Sequence, residues 1–250
     1  MINPETNSLK LTFKIPFPAT NIISVFSSRN HNNMSYVYGD TKNSLISRSN
    51  FLINLGIDYR DLVCAQQVHG CNIAYVPKED KGCGALSADG AIANTDAFIT
   101  DQVGLPIAIF TADCLPVFLC DLKSNAIGLV HAGWKGTKDN ITTKTIKLMQ
   151  ERFKSKPQDL CVGFGPAMRR CCYEVSQDFN NLFPLETSVK SNHYYFDLAQ
   201  ANKREALELG VKEDNIFDSG ACTCCDNLKF FSYRKEGPAC GRMMSVMMLK

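Results

Sequence analysis

Thr111-Ala112-Asp113-Cys114-Leu115-Pro116-Val117-Phe118-Leu119-Cys120, then Asp121-Leu122-Lys123-Ser124, then Asn125-Ala126-Ile127-Gly128-Leu129-Val130-His131-Ala132-Gly133-Trp134, is the stretch on which the fold turns. Two short apolar runs joined by a polar bend form the pattern of a β-hairpin. With the loop at 121–124, position 120 pairs with 125, 117 with 128 and 114 with 131. Cys114 and His131 then face each other at the open end. Directly opposed residues have Cα atoms about 4.5–5.5 Å apart, close enough for a thiolate and an imidazole to share one metal ion at about 2.3 and 2.0–2.1 Å. A free cysteine is also a common apolar filler, and a lone histidine beside a strand is usually structural. Here, however, each residue ends an apolar run and precedes a turn-forming element, Leu115-Pro116 or Gly133, where functional groups are displayed at sheet edges. A one-residue slip would put the two side chains on opposite faces.

Outward from the hairpin, apolar runs alternate with turn signals. Strands are expected at 11–15, 22–26, 63–68, 72–76, 97–100, 107–110, 160–164 and 229–233. Helices are expected at 43–55, 137–153, 176–183 and 198–209, the second with Thr137 as N-cap. Without a Pro/Ser-rich linker or an internal repeat, residues 1–250 read as one mixed α and β domain.

Apolar residues make up 45% of the chain, enough for a sizeable core. A net charge of +2, from 27 basic and 25 acidic residues, gives no strong field for nucleic acid or an anionic membrane. A small neutral or moderately anionic substrate fits better. No run approaches the roughly 18 apolar residues of a membrane helix, and residues 1–17 lack the apolar core of a signal peptide. The expected location is the cytoplasm, where the twelve cysteines stay thiols. Cys222-Thr223-Cys224-Cys225 contains a formal C-x-x-C, and Cys171-Cys172 is a second dense spot. Four thiolates suffice for structural zinc. Adjacent cysteines do not easily point at one ion, though, and neither cluster shows two cleanly spaced halves, so the sequence weighs against such a site.

The segment His131-Ala132-Gly133-Trp134-Lys135-Gly136-Thr137 reads as a strand-to-helix turn whose glycines let the backbone approach a ligand and whose helix start suits an anion. It lacks Walker spacing, and a plain turn is an equal reading. Gly163-Phe164-Gly165-Pro166 needs only a tight turn. Gln66-Gln67-Val68-His69-Gly70 ends another predicted strand in a histidine. A catalytic zinc has three protein ligands and an open position, which makes His69 the natural third candidate, although spacing cannot connect it to Cys114 and His131. His31 and His193 lie in polar stretches and are expected at the solvated surface.

The blocks QQVHG (66–70), ADG (88–90), TDAFIT (95–100), TADCLPVFLCD (111–121), GLVHAGWKGT (128–137), GFGPA (163–167), CCYEV (171–175), FFSYR (230–234) and GR (241–242) together resemble the peptidoglycan-editing-factor family, long called laccase-domain or multicopper-oxidase-like proteins. The resemblance covers nearly the whole chain. It implies an α+β fold, a four-layer αββα sandwich, and a zinc site of two histidines and one cysteine. It also implies phosphorolysis of the purine nucleosides adenosine, inosine and methylthioadenosine, with phosphate as co-substrate, and deamination of adenosine. Residue by residue, the zinc ligands and catalytic positions implied are His69, Cys114 and His131. Arg48 takes the place of the family's usual anion contact, with Ser47 where Asn is more usual. Arg29 matches an early F-S-T-R block, but Asn30-His31-Asn32-Asn33 replaces the glycine pair that follows it. Arg169 and Arg170 stand where a small residue is usual.

Composition limits the chemistry. A multicopper oxidase needs a trinuclear cluster held by many more imidazoles than four histidines offer, so laccase activity is rejected. A cytidine-deaminase-type site is set aside, since no H-x-E occurs and the C-x-x-C lacks its preceding proline. A thiol hydrolase with Cys114 activated by His131 stays open, as does a non-catalytic interaction protein stabilised by its metal. Asp113 and Asp89 are candidate proton carriers or turn caps.

Overall fold

The hairpin sits in the middle of a six-stranded sheet. The structure, a computed structural model, describes residues 13–250; the first two residues of the 11–15 strand and most of the 1–17 stretch lie outside them. In chain order the elements are β1 (Phe13–Lys14), β2 (Ile22–Phe26), α1 (Thr41–Leu52), β3 (Val63–Cys64), β4 (Ile73–Tyr75), β5 (Ala97–Thr100), β6 (Ile107–Thr111), β7 (Leu115–Asp121), β8 (Ala126–Ala132), α2 (Trp134–Lys138), α3 (Ile141–Phe153) and β9 (Leu160–Phe164). They continue with β10 (Glu174–Val175), α4 (Phe179–Leu182), β11 (Thr187–Lys190), β12 (His193–Phe196), α5 (Leu198–Glu208), β13 (Ile216–Asp218), α6 (Tyr233–Glu236) and β14 (Met243–Leu249). One sheet runs β13-β9-β7-β8-β5-β4, a second runs β1-β2-β14-β6-β3, and β10-β12-β11 form a small third.

Period-two alternation sorts each strand's side chains into two layers. Phe118 and Cys120 of β7 and Ile127 and Leu129 of β8 meet Phe26, Ile107, Ile109 and Met247 between the two large sheets. Val117, Leu119 and Val130 point the other way, onto Ile141, Ile146 and Met149 of α3 and Leu198 of α5. On the far side, Phe51 and Leu52 of α1 cover Val25, Ala108 and Val246. The result is the expected order helix, sheet, sheet, helix. The central strand β14 was missed by the sequence reading: its Met-rich run, buried on both faces, shows no alternation to distinguish it from a buried helix segment.

The hairpin register differs from the expected one by two residues. Val117 pairs with Val130, Cys120 with Ile127, and Pro116 with His131. Asp121 remains in β7, where its side chain accepts the N–H groups of Lys123 (2.9 Å) and Ser124 (3.2 Å), and Asn125 closes the bend at φ 51°. The turn therefore falls at 122–125. A shift of two preserves faces, so Cys114 and His131 still share a side, as diagonal rather than direct neighbours.

Other boundaries also move. The 137–153 helix is two helices: Gly133, not Thr137, is the N-cap of α2, and Asn140 in a left-handed conformation (φ 57°) opens α3. Helix 43–55 ends in a 3-10 turn at Ile53–Leu55, and 176–183 shrinks to α4. Strand 63–68 stops at Cys64, because Gln66 N–H turns to the Ile92 carbonyl. Residues 229–233 are not a strand. Lys229 and Phe230 donate back to the Asp226 carbonyl, the Phe230 ring packs near Phe13 and Phe26, and Ser232 caps α6. His31 is not at the surface: it is 3% exposed, accepts the Ser28 N–H at Nδ1 (3.1 Å) and stands edge-on to Phe51. His193 is exposed beside Glu174, as expected. Among the described residues no helix is long and apolar enough to cross a membrane.

Glu205, in the layer between α5 and α3, is a buried carboxyl accepting the Thr143 N–H at 2.9 Å. Burial pushes it up to about 7, against the opposing pull of that N–H. A carboxyl raised in the folded state binds a proton that the unfolded chain has released, so stability falls as pH rises from about 4.5 to about 7 and stays low above. Glu205→Gln keeps the acceptor without the charge. Its Tm should exceed that of the wild type at pH 8 and converge with it near pH 4; parallel Tm curves across that range would remove the burial penalty from the account.

Candidate functional site

The loop before β7, the end of β8 and the loop after β3 converge at one end of the inter-sheet layer. The ligating atoms of His69, Cys114 and His131 all lie within 4.8 Å of one another. His131 is 2% exposed, Cys114 half-buried and His69 open to solvent, which leaves the trio one accessible side. The two imidazole rings meet edge-on, 4.8 Å between centroids.

Asp96, at the start of β5, organises this trio. Its Oδ1 lies 2.8 Å from His131 Nδ1, which leaves Nε2 for the cysteine side. The same carboxylate accepts three successive backbone N–H groups, from Val68 (3.3 Å), His69 (3.0 Å) and Gly70 (2.7 Å). Such a nest of N–H groups around an anion uses a left-handed residue, and His69 supplies it at φ 60°. Burial pushes the Asp96 carboxyl up, but the hydrogen bonds from His131, Gly70 and Val68 outweigh it and hold it below the ordinary range. Burial likewise pushes the Cys114 thiol up, but His131 and then His69 bring it down to about 6. His131, whose burial alone would disfavour its charge, is raised to about 9 by Cys114 and Asp96. A thiolate beside two imidazoles, one fixed in tautomer by a carboxylate, is a donor set that could hold a divalent metal ion.

Two glycines make the approach possible. A Cβ on Gly133 would stand 3.3 Å from both Cys114 Sγ and His69 Cδ2, and one on Gly136 would stand 2.7 Å from the Gly70 carbonyl oxygen. The glycines of the 131–137 turn thus serve to let α2 close over the ligand loop. In Gly163-Phe164-Gly165-Pro166, similarly, Gly163 and Gly165 make room for Ile15 and Pro116.

The trio opens on a cavity of about 730 Å³, lined also by Tyr36, Arg48, Phe110, Trp134, Tyr173, Arg234 and Arg242. Arg48 is 1% exposed. Its guanidinium lies over the Tyr36 ring (3.6 Å) and near that of Phe110 (4.7 Å), with Nε donating to the Met34 carbonyl and Nη1 to that of Ala85. Among the described residues no carboxylate pairs with it. The other arginines singled out from sequence are engaged elsewhere. Arg29 holds Glu236 and the carbonyls of Asn227 and Phe230, Arg169 grips Asp218 with both terminal nitrogens, and Arg170 is exposed. Asp113, left-handed at φ 84°, is a brace: Oδ1 accepts Thr223 Oγ1–H (2.6 Å) and Oδ2 the Arg234 N–H (2.7 Å). Asp89 is exposed and lies outside the cavity lining.

The sequence reading missed Asp96, although an acidic residue opening an apolar strand was a usable signal. It also missed Gln67, whose side-chain amide accepts from Phe110 N–H (2.7 Å) and donates to its carbonyl (2.9 Å), replacing a strand partner. No local pattern marks Tyr36, and Arg242, part of the GR block, was assigned no role; both reach the cavity from distant segments.

Residues 24–250 match the family described as multi-copper polyphenol oxidoreductase laccase. The chain is 33% identical over 223 residues to a purine nucleoside phosphorylase, YlmD, of Geobacillus stearothermophilus, covering 85% of this chain and 81% of that protein. It is 29% identical to an adenosine deaminase, RL5, of an unknown prokaryotic organism, covering 83% and 82%. The crystal structure of YlmD from Geobacillus stearothermophilus superposes over both full chains with a TM-score of 0.94 at 28% identity.

Asp96→Asn retains one acceptor oxygen but turns an amide NH₂ toward donors. Affinity of the trio for a divalent metal, measured by competition with a chelator, should fall about 10- to 100-fold. An unchanged affinity would mean that the Asp96 contact does not orient His131.

Proposed function

This chain belongs to the multi-copper polyphenol oxidoreductase laccase family, and from that premise we propose that it is a zinc-dependent enzyme of purine nucleosides, phosphorolysing adenosine, inosine and methylthioadenosine and deaminating adenosine; relatives named purine nucleoside phosphorylase and adenosine deaminase support the two reaction types. One observation carries the reading: a single cavity holds the His69, Cys114 and His131 trio together with a buried arginine that no carboxylate among the described residues neutralises. A buried cation without a counter-charge is costly, and an anionic co-substrate at Arg48 would offset that cost. The flat faces of Tyr36, Phe110, Trp134 and Tyr173 along the same lining suit a purine ring.

Zinc held by His69, Cys114 and His131 would act as a Lewis acid and lower the pKa of a bound water to about 7. The chain's own residues do the rest. Asp96 fixes the His131 tautomer, and the hydrogen bonds to Asp96 hold the His69 loop. In phosphorolysis Arg48 orients phosphate, whose oxygen forms the new bond to the ribose carbon as the bond from that carbon to the purine nitrogen breaks. Copper oxidase chemistry lacks the imidazoles it would need: His31 is packed against Ser28 and Phe51, and His193 faces Glu174 at the surface.

A second reading has its own observation. Cys114, His131 and Asp96 are aligned as nucleophile, base and orienting carboxylate. The cytoplasmic setting expected from sequence keeps the thiol reduced under either reading. Cys114→Ala should abolish turnover of adenosine and inosine with the fold retained, as read by circular dichroism. Chelation separates the two: metal-stripped wild type should be inactive, and full activity after demonstrated stripping would establish the thiol nucleophile. A chain that unfolds on stripping but never turns over nucleosides would instead be a metal-stabilised interaction protein.

Arg48→Ala should reduce phosphorolysis about ten- to a hundredfold, since charge-assisted contacts to an anion contribute roughly 1.5–3 kcal/mol. Deamination, which uses water, should fall much less. Equal losses in both reactions, measured on protein whose Tm shows it folded, would assign Arg48 to the nucleoside or the fold.

A further inference from the structure

Far from the trio in sequence, four more thiols come together. Cys171 and Cys172 lie in the turn after β9, and Cys222 and Cys225 in the turn after β13. Their sulfurs all lie within 4.8 Å of one another. Cys225 Sγ is 3.5 Å from Cys171 Sγ and 3.3 Å from Cys172 Sγ. Four sulfurs at 2.3 Å around a tetrahedral zinc stand about 3.8 Å apart, so the cluster needs only small adjustments to enclose one. The sequence objection that adjacent cysteines point apart does not hold here: the Cys172 and Tyr173 N–H groups both turn back to the Arg169 carbonyl, and the tight turn brings both side chains to one side. Cys224 is not part of the cluster.

We infer that Cys171, Cys172, Cys222 and Cys225 form a second metal site, a closed tetrathiolate that holds a structural zinc ion. Cys222-x-x-Cys225 has the spacing of half a zinc knuckle, and the Asp226 N–H donates to the Cys222 carbonyl at 2.9 Å, which closes the turn that carries both sulfurs. All four positions are filled by protein, which leaves no open one for substrate.

The ion's work is to fasten two loops that shape the cavity wall. The first carries Met168 and Tyr173, both in the lining. The second carries Thr223, which bonds Asp113 beside Cys114. Protein contacts already draw them together: Thr223 N–H donates to the Ala167 carbonyl (3.0 Å), and Arg169 Nε to that of Ala221 (3.2 Å). A zinc ion would close a junction between segments about fifty residues apart with bonds stronger than any of these. This inference does not depend on the nucleoside reading.

The test is zinc content by elemental analysis of full-length protein purified under reducing conditions without added metal. Wild type should carry about two zinc ions per chain, Cys114→Ala about one, the Cys172→Ser/Cys225→Ser double variant about one, and Cys224→Ser two. Cobalt bound to Cys114→Ala should show intense thiolate charge-transfer bands with the absorption of a tetrahedral ion, a readout that stands even if the double variant fails to fold. One zinc ion in the wild type that persists in Cys114→Ala also supports the tetrathiolate, while removing metal from the His₂Cys trio. Cys114→Ala protein that holds no zinc and gives no cobalt spectrum overturns the proposal, as does a disulfide among these four cysteines found by mass in the reduced preparation.

Discussion

A carboxylate with no exposed surface holds the candidate site together. Asp96 receives Nδ1 of His131 and the N–H groups of three consecutive residues, while its own carbonyl accepts the His131 N–H at 2.7 Å. One residue thus joins β5 to β8 and pins the loop that carries His69. A buried carboxylate is tolerated only when its lone pairs are satisfied, and here the partners that satisfy it are the segments that bear His69 and His131. The left-handed backbone of His69 follows from that demand, because three successive N–H groups converge on one anion only if the chain curls around it.

The opposite wall is built differently. Asp113 takes a left-handed conformation next to Cys114 and spends both oxygens on Thr223 and the Arg234 backbone. The turn carrying Cys114 is thereby braced from a hundred residues away. Arg48 reaches the cavity from α1, which otherwise covers the outer face of the second sheet, and its charge is met by carbonyl dipoles and aromatic faces rather than by an acid. That environment leaves the guanidinium without a competing carboxylate among the described residues. Rigid placement of both walls before any ligand arrives is what makes differential binding of a transition state possible.

The four sulfur atoms beside this wall extend the same logic. The 168–173 and 222–225 turns contain little regular structure, and without a cross-link they would rely on a few hydrogen bonds and the Ala167 bridge to Cys222. Cavity-lining residues on such turns are held only as well as the turns themselves.

Much of this was legible from local pattern. Apolar alternation located β2, β5, β9 and the β7–β8 hairpin, because a strand buried on one or both faces writes that burial into its residues. Cys114 and His131 could be placed on one side from the hairpin alone, and a two-residue error in register left them there because side-chain direction repeats every two residues. His69 could be named as a third candidate from the end of its predicted strand, but nothing in its own segment points to residues 45 or more positions away, and only the fold brings it to Cys114 and His131. Asp96, Tyr36, Arg242 and the meeting of Cys171 and Cys172 with Cys222 and Cys225 were decided by tertiary structure. Sequence periodicity records which face a residue presents, a local property. Which distant segment meets that face depends on sheet order and on the conformation of the turns, and the chain shows those only once it is folded.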